Sequence, residues 1–501
     1  MSANSRSSGI LMHISSLPGK FGIGDLGKSA FNFVDFLADT GTKYWQVLPL
    51  NPTGYGNSPY QGLSAFAGNS LFIDPYQLAE LRLLEAEDIS TSPGFPSQQV
   101  NFSKVIRYKG RLLKKAFSAF YVNKKSPLKV EFENYKESNQ PWLEDYCLFM
   151  ATRENYQLAS WKNWPNPLKY REPQAIFFFE EMYSEEVEYH AFMQFIFHLQ
   201  WRNLKEYSHN KGIHFIGDIP IFVGYDCADV WAHPELFKLN DRLEPQVVAG
   251  VPPDYFSPIG QLWGNPLYDW EKLQKENYLW WTARIKEALR HVDIIRLDHF
   301  RGFAGYFQIP SEAKTAKEGE WVTGPGAEFI NAIKSELGYL PFIAEDLGII
   351  TPDVIDLRDR FALPGMKILQ FAFGGNAENE YLPHNYPVNC VAYTGTHDNP
   401  TSLGWYKNSA TEGERSFIRQ YLGKTTENIP HIMSRAIWSS VAELVIAPMQ
   451  DVLVLNAKAR MNTPATTEGN WQWRMKPGAI SDEIKTWLME INTVYDRFSN
   501  L

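Results

Sequence analysis

The chain has 501 residues, of which 44% are hydrophobic, enough apolar material for a large core and far from the composition of a disordered chain. Its formal net charge is −9, with acidic and basic residues mixed throughout and no basic block, which excludes a charge-driven nucleic-acid partner.

In chain order, eight short apolar runs end in polar, Gly or Pro residues, as buried parallel strands do. They span residues 9–14, 44–50, 214–223, 292–297, 342–344, 366–371, 390–394 and 451–455. Helical patterns intervene, for example at 29–38 before the second run and 328–337 before the fifth. This alternation predicts an α/β fold, and eight units predict a (β/α)8 TIM barrel. The spacing is uneven. Between 50 and 214 lie a polar loop (90–99), a basic amphipathic helix (109–125) and a Trp-rich segment with Trp142, Trp161 and Trp164. Residues 1–501 are therefore expected to form one barrel with subdomains inserted in the loops at its C-terminal face. One insertion is expected at about 52–210 after the second strand, and another at about 224–290 after the third, including the 250–257 loop. After residue 455 a last loop and helix are expected, with no separate C-terminal β-domain.

Cys147, Cys227 and Cys390 are widely spaced and form no CxxC pair, so neither a disulfide framework nor a cysteine zinc site is expected. The opening Met1-Ser2-Ala3-Asn4-Ser5-Arg6 lacks the apolar segment of a secretory signal, and no run reaches the roughly 18 apolar residues of a membrane span. A cytoplasmic protein without a membrane partner is expected. Trp, Tyr and Phe make up 15% of the chain. Their faces suit the flat C–H faces of sugar rings, although a plain aromatic core accounts for the number equally well.

Two conspicuous motifs carry little. Gly22-Ile23-Gly24-Asp25-Leu26-Gly27 spells G-x-G-x-x-G. However, Ser15-Ser16-Leu17-Pro18 separates it from its strand, and the next strand ends Leu48-Pro49-Leu50-Asn51-Pro52 without the ribose-binding carboxylate. A glycine-rich loop at a barrel mouth is the better reading, with no nucleotide cofactor. His397, His299, His214 and His384 form neither HxH nor HExxH spacing, so no metal site is expected from them. The absence of G-x-S-x-G disfavours a serine hydrolase.

The strand ends are more informative, because barrel enzymes carry their catalytic groups there. The third run holds Gly217-Asp218-Ile219-Pro220 and the fourth ends Arg296-Leu297-Asp298-His299. The fifth ends Ala344-Glu345-Asp346-Leu347-Gly348 and the seventh is followed by Thr396-His397-Asp398-Asn399. Any one of these carboxylates could be a helix cap. Four at one mouth cost electrostatic energy that a fold tolerates chiefly where chemistry needs it. Glycosyl transfer is such chemistry, since it needs one carboxylic acid and one carboxylate. Arg296 lies two residues before Asp298, hence on the same face of the strand, where its charge is expected to lower the pKa of Asp298 and hold it ionised.

These blocks resemble the α-amylase superfamily, and within it the amylomaltases, or 4-α-glucanotransferases, of glycoside hydrolase family 77. The resemblance is carried by Gly54-Tyr55-Gly56-Asn57-Ser58-Pro59-Tyr60-Gln61, by Arg296-Leu297-Asp298-His299-Phe300-Arg301-Gly302, and by Gly260-Gln261-Leu262-Trp263-Gly264-Asn265-Pro266. Thr394-Gly395-Thr396-His397-Asp398-Asn399 and Arg460-Met461-Asn462 complete it, so that it covers nearly the whole chain. It implies a retaining transfer of an α-1,4-glucan segment to the 4-hydroxyl of another glucan or of glucose, without metal, nucleotide or other cofactor. It implies Asp298 as nucleophile, Glu345 as general acid/base and Asp398 as transition-state stabiliser. It further implies Tyr60, Asp218, Arg296, His397, Asp346, Ser58 and Asn462 as sugar-binding residues, with Asn470 close enough to compete with Asn462. Trp263 and the 250–257 loop would lie on the acceptor side, and Tyr55 would be an outer aromatic platform. A hydrolase of the same superfamily, an inactive glucan-binding scaffold and a nucleotide-sugar-dependent transferase are the alternatives. If the source were a plant, the compartment would be the plastid stroma.

Overall fold

The computed structural model describes residues 6–253, 258–423 and 428–498. Among them are twelve strands: β1 (Ser7–Leu11), β2 (Tyr44–Gln46), β3 (His214–Pro220), β4 (Val247–Val251), β5 (Gln261–Pro266), β6 (Ile294–Asp298), β7 (Gly305–Pro310), β8 (Glu320–Thr323), β9 (Phe342–Ala344), β10 (Gly365–Ile368), β11 (Cys390–Tyr393) and β12 (Leu444–Pro448). Eight of them form one parallel sheet in the order β10-β11-β12-β1-β2-β3-β6-β9. The ring is drawn together between its outer members by Ala344, whose N–H donates to Pro364 O (2.9 Å), just before β10. This is a (β/α)8 barrel.

The strands are short, wholly buried apolar runs such as Cys390-Val391-Ala392-Tyr393, as a sheet covered on both faces requires. The helices between them are amphipathic. Lys28–Asp39, for example, buries Ala30, Phe33, Val34, Phe36 and Leu37. The chain end is tied to the N-terminal face by Arg497, which is 1% exposed and donates to the carbonyls of Ser7, Trp438, Ser440 and Ala442.

The eighth strand corrects the sequence expectation. It is Leu444-Val445-Ile446-Ala447-Pro448, not 451–455, which instead contains the end of the short helix Met449–Val452 and a left-handed Val454 (φ 55°). Both runs are apolar, and periodicity cannot rank two such short segments. Pairing decides it: 444–448 lies in register with β1 along its whole length and with β11 on the other side. Similarly, the helix expected at 109–125 spans Phe102–Val122, because the Asn101 side chain caps it by accepting from Lys104 N–H.

Between β2 and β3 the long helices Phe102–Val122, Leu128–Asn155 and Ser184–Asn210 pack through aromatic contacts such as Phe120–Phe132 and Phe132–Phe195. Two buried glutamines of the last helix grip the loop that follows β2. Gln194 exchanges two hydrogen bonds with the Gly68 backbone, and Gln200 two with Asp74. Each satisfies backbone groups that burial would otherwise orphan. A second, antiparallel sheet of order β5-β4-β7-β8 stands over the barrel mouth. Its strands come from the stretch after β3 and the stretch after β6.

The glycine motif at 22–27 is a tight loop behind β1. A Cβ at Gly24 would stand 1.8 Å from Ile14 O, so that close approach is what requires glycine. No helix among the described residues is long and apolar enough to cross a membrane.

Candidate active site

Register places the chemistry. β6 pairs with β3 so that Arg296 faces Asp218, and with β9 so that Leu297 faces Ala344. The residues one step further on, Asp298 and Glu345, therefore emerge side by side at one strand spacing, about 4.8 Å. The guanidinium of Arg296, 4% exposed, bridges two carboxylates. Its Nη1 donates to Asp218 Oδ1 (2.8 Å), Asp218 Oδ2 (2.7 Å) and Asp298 Oδ1 (2.9 Å). Tyr60 OH donates to the remaining side of Asp218 Oδ2 (2.8 Å).

Arg296 was expected to hold Asp298 low, and here the structure differs. Burial pushes Asp298 up to about 7, against the pull of Arg296 and with the charges of Asp218 and Asp398 adding to the rise. The physical reason is burial: the cost of desolvating the carboxylate outweighs the attraction of a guanidinium that also serves Asp218. Burial also pushes Glu345 up to about 8, again opposed by Arg296. Both carboxyls are thus held well above the ordinary carboxylate range, and they titrate as a coupled pair.

Glu345 is aimed by backbone. Its Oε2 accepts from His299 N–H (2.7 Å) and its Oε1 from Leu347 N–H (3.1 Å). His299 adopts the left-handed region (φ 53°), a strained choice for a side-chain-bearing residue that recurs at active sites. Burial pushes the His299 imidazole down to about 3, so it stays neutral. Its ring lies edge-to-face with Trp263 at 4.8 Å.

Asp398 lies on the loop after β11, its side chain 44% exposed to the mouth. Asn462 Nδ2 donates to its Oδ1 (2.6 Å) and Arg460 Nη2 to its carbonyl (2.6 Å), while His397 Nε2 lies 3.4 Å from Oδ2. Of the two competing asparagines, Asn462 is the one that reaches Asp398. Asn470 is engaged with Thr463 and Thr466 in its own loop. Tyr60 stacks on His397 (5.2 Å, 14°), and Trp471 lies against both rings.

The remaining expected residues stand differently. The Asp346 carboxylate has both oxygens committed, Oδ1 to Met366 N–H (2.7 Å) and Oδ2 to Arg358 Nη1 (2.5 Å), and its side chain is 5% exposed. It braces the loop behind Glu345 and does not face the mouth as a sugar ligand. Ser58 Oγ accepts from Tyr60 N–H (3.2 Å), so it shapes the turn that presents Tyr60. Tyr55 is 78% exposed at the rim. Of the 250–257 loop, residues 254–257 lie outside the described residues.

Sequence reasoning missed Trp471 and Asp451. The buried Asp451 accepts from Thr394 Oγ1 (2.6 Å), Ser402 Oγ (2.6 Å) and Ser402 N–H (2.8 Å), and so anchors both ends of the loop that carries Asp398. Nothing near it in the sequence announces this, since all its partners lie about 50 positions away. Among the described residues one group has metal-ligand proximity, His209, His214 and Asp293. It sits at the opposite, N-terminal end of the barrel, and Lys205 Nζ lies 3.6 Å from Asp293 Oδ1.

Three comparisons with known proteins agree. A family model described as 4-alpha-glucanotransferase matches residues 12–481. The 4-alpha-glucanotransferase of Thermus thermophilus is 48% identical over 95% of this chain and 96% of its own. The chloroplastic/amyloplastic 4-alpha-glucanotransferase of Solanum tuberosum is 43% identical over 99% of this chain and 87% of its own. The amylomaltase of Streptococcus agalactiae, solved in complex with acarbose, superposes with a TM-score of 0.95 at 39% identity, covering 99% of this chain and 100% of its own.

Proposed function

The chain belongs to the 4-alpha-glucanotransferase family, glycoside hydrolase family 77, and we propose how its own residues perform the transfer of an α-1,4-glucan segment to the 4-hydroxyl of another glucan or of glucose. The observation that carries the mechanism is the side-by-side emergence of Asp298 and Glu345 from paired strands. Backbones one strand spacing apart let the two side chains reach the roughly 5–5.5 Å between carboxyls that a retaining double displacement uses. Glu345, whose carboxyl burial holds well above the ordinary range, protonates the glycosidic oxygen while ionised Asp298 attacks the anomeric carbon. The bond to the leaving glucan breaks, its oxygen takes the proton, and a glycosyl ester forms on Asp298. Glu345, now a carboxylate, accepts the proton of an incoming 4-hydroxyl as that oxygen displaces Asp298.

Asp398, oriented by Asn462, faces the positive charge that develops at the sugar ring. His397 and Tyr60 bind the sugar whose bond is cut, Asp218 and Arg296 act there through the hydrogen bonds that hold Tyr60 and Asp298 in place, and Trp263 with the second sheet shelters the acceptor side. That shelter favours sugar over water at the second step. The stretches 52–210 and 224–290 serve as the subdomains that wall the mouth. The reading of a cytoplasmic enzyme rests on three free, buried cysteines and the absence of a membrane-spanning helix among the described residues.

Incubation with maltotriose alone, without nucleotide, tests this. Glucose and longer maltooligosaccharides at constant total reducing ends are expected. Rising reducing ends would identify a hydrolase instead. Unaltered product formation by Asp298→Asn would remove Asp298 from the mechanism.

A further inference from the structure

A cleft of about 720 Å³ opens between the edge strand β8 and the helix Pro352–Arg360, outside the catalytic mouth. Arg301 lies on its floor, only 6% exposed. The guanidinium stacks on Trp321, 3.7 Å from the ring centroid, and Nη1 donates to Ile349 O, but Nε has no partner. Among the described residues Arg301 enters no ion pair. Neither do the other charged groups of the cleft, Asp353, Asp356 and Arg360, whereas the neighbouring Arg358 takes Asp346 and Asp359. Trp321 remains 43% exposed. A guanidinium that lines a cleft, pairs with no carboxylate and keeps an unsatisfied N–H has donor capacity left for an acceptor.

The lining selects the ligand. Two guanidiniums and two carboxylates balance, so an anion would meet Asp353 and Asp356, and a cation would meet Arg301 and Arg360. Neutral hydroxyls satisfy both sets at once, since they accept from Arg and donate to Asp. The indole of Trp321 supplies an apolar surface for ring C–H groups. That combination is the chemistry of sugar recognition.

The site's position separates it from the transfer centre. Arg301 lies three residues past Asp298 and Ile349 four past Glu345, so both line the same end of the barrel. β8 and the Trp263-bearing β5 are opposite edges of one sheet, three strand spacings or about 14 Å apart.

We propose that the Arg301–Trp321 cleft is a second α-1,4-glucan-binding site, distinct from the catalytic mouth. The choice of glucan as its sugar rests on the transferase reading above. It would retain a long substrate chain close to the mouth between transfers, raising the local concentration of both donor and acceptor ends.

The test is calorimetric titration of maltoheptaose into Asp298→Asn protein, which cannot turn the ligand over, with and without Trp321→Ala. One binding site fewer, or one class weakened at least about tenfold, is expected on adding Trp321→Ala. Asp353→Ala with Asp356→Ala, both on exposed helix surface, is expected to do the same without touching the Arg301–Trp321 stack. Identical isotherms in all three proteins would overturn the proposal. Maltotriose disproportionation by the wild-type protein separates the two failures. If it occurs while the isotherms are identical, only the cleft is wrong; if it does not occur, the transferase reading falls first.

Discussion

Arg296 is the residue whose removal the structure makes most informative. Arg296→Gln keeps a hydrogen-bonding group of similar reach but deletes the one cation shared by Asp218 and Asp298. A charge pair at about 4 Å is worth roughly 4 kcal/mol at an effective dielectric near 20, which corresponds to about three pKa units. Because Asp218 takes part of that interaction, a rise of about one to three units above the wild-type value of about 7 is expected for Asp298. The sign runs in one direction. Arg296 stabilises the ionised form, so its loss raises the pKa and leaves less nucleophile at any given pH. A two-unit rise cuts the ionised fraction near neutrality by roughly fiftyfold, from about half to about a hundredth.

The assay is kcat/KM for maltotriose across pH. In the wild type, activity should rise as Asp298 ionises near 7 and fall as Glu345 ionises near 8, giving a narrow bell for the pair. In Arg296→Gln both limbs should move to higher pH, because Arg296 lowers the pKa of both carboxyls. Arg296→Lys, which keeps the charge, should leave the acid limb closer to wild type. The variant must also be less stable in denaturant, by about 3–5 kcal/mol for buried carboxylates stripped of their partner. Limbs that stay in place in a folded Arg296→Gln protein would refute the assignment of Arg296 as the electrostatic control of the pair.

Other residues give sharper contrasts. Asn462→Ala frees Asp398 Oδ1, and should lower kcat about ten- to a hundredfold with little change in KM, read by initial rates on maltotriose; a pure KM effect would place Asn462 in binding only. Asp451→Ala removes the acceptor of three buried donors. It should lower both stability, by about 1–3 kcal/mol in chemical denaturation, and kcat, since the Asp398 loop loses its anchor. Asp346→Ala should destabilise by about 3–5 kcal/mol by orphaning Arg358, while KM for maltotriose in the folded fraction stays near wild type. A large KM rise with unchanged stability would return Asp346 to the substrate.

The part of the site that could be read in the linear chain is the part made of strand ends. Asp218, Arg296, Asp298 and Glu345 each sit within a few residues of a buried apolar run, so local pattern and the barrel's known polarity brought them to one mouth. Residues presented by long loops were harder. Ser58 and Asp346 sit in the right motifs, but which way a side chain turns depends on what packs beside it. Ser58 turned to its own backbone and Asp346 to Arg358. The eighth strand was misplaced for a related reason: two adjacent apolar runs compete, and the winner is chosen by pairing with β1 and β11, which periodicity does not contain.

By itself, then, the sequence determined the barrel and the carboxylates at its strand ends, because burial period and strand-end position are local properties that survive without coordinates, and its motifs carried the family. Only the tertiary structure decided the electrostatics. Whether Arg296 outweighs burial at Asp298 depends on how many carboxylates share it and how much water is excluded, and both are set by strands far apart in the chain. The same holds for the Arg301–Trp321 cleft, whose lining comes from three separate segments and acquires its meaning only where those segments meet.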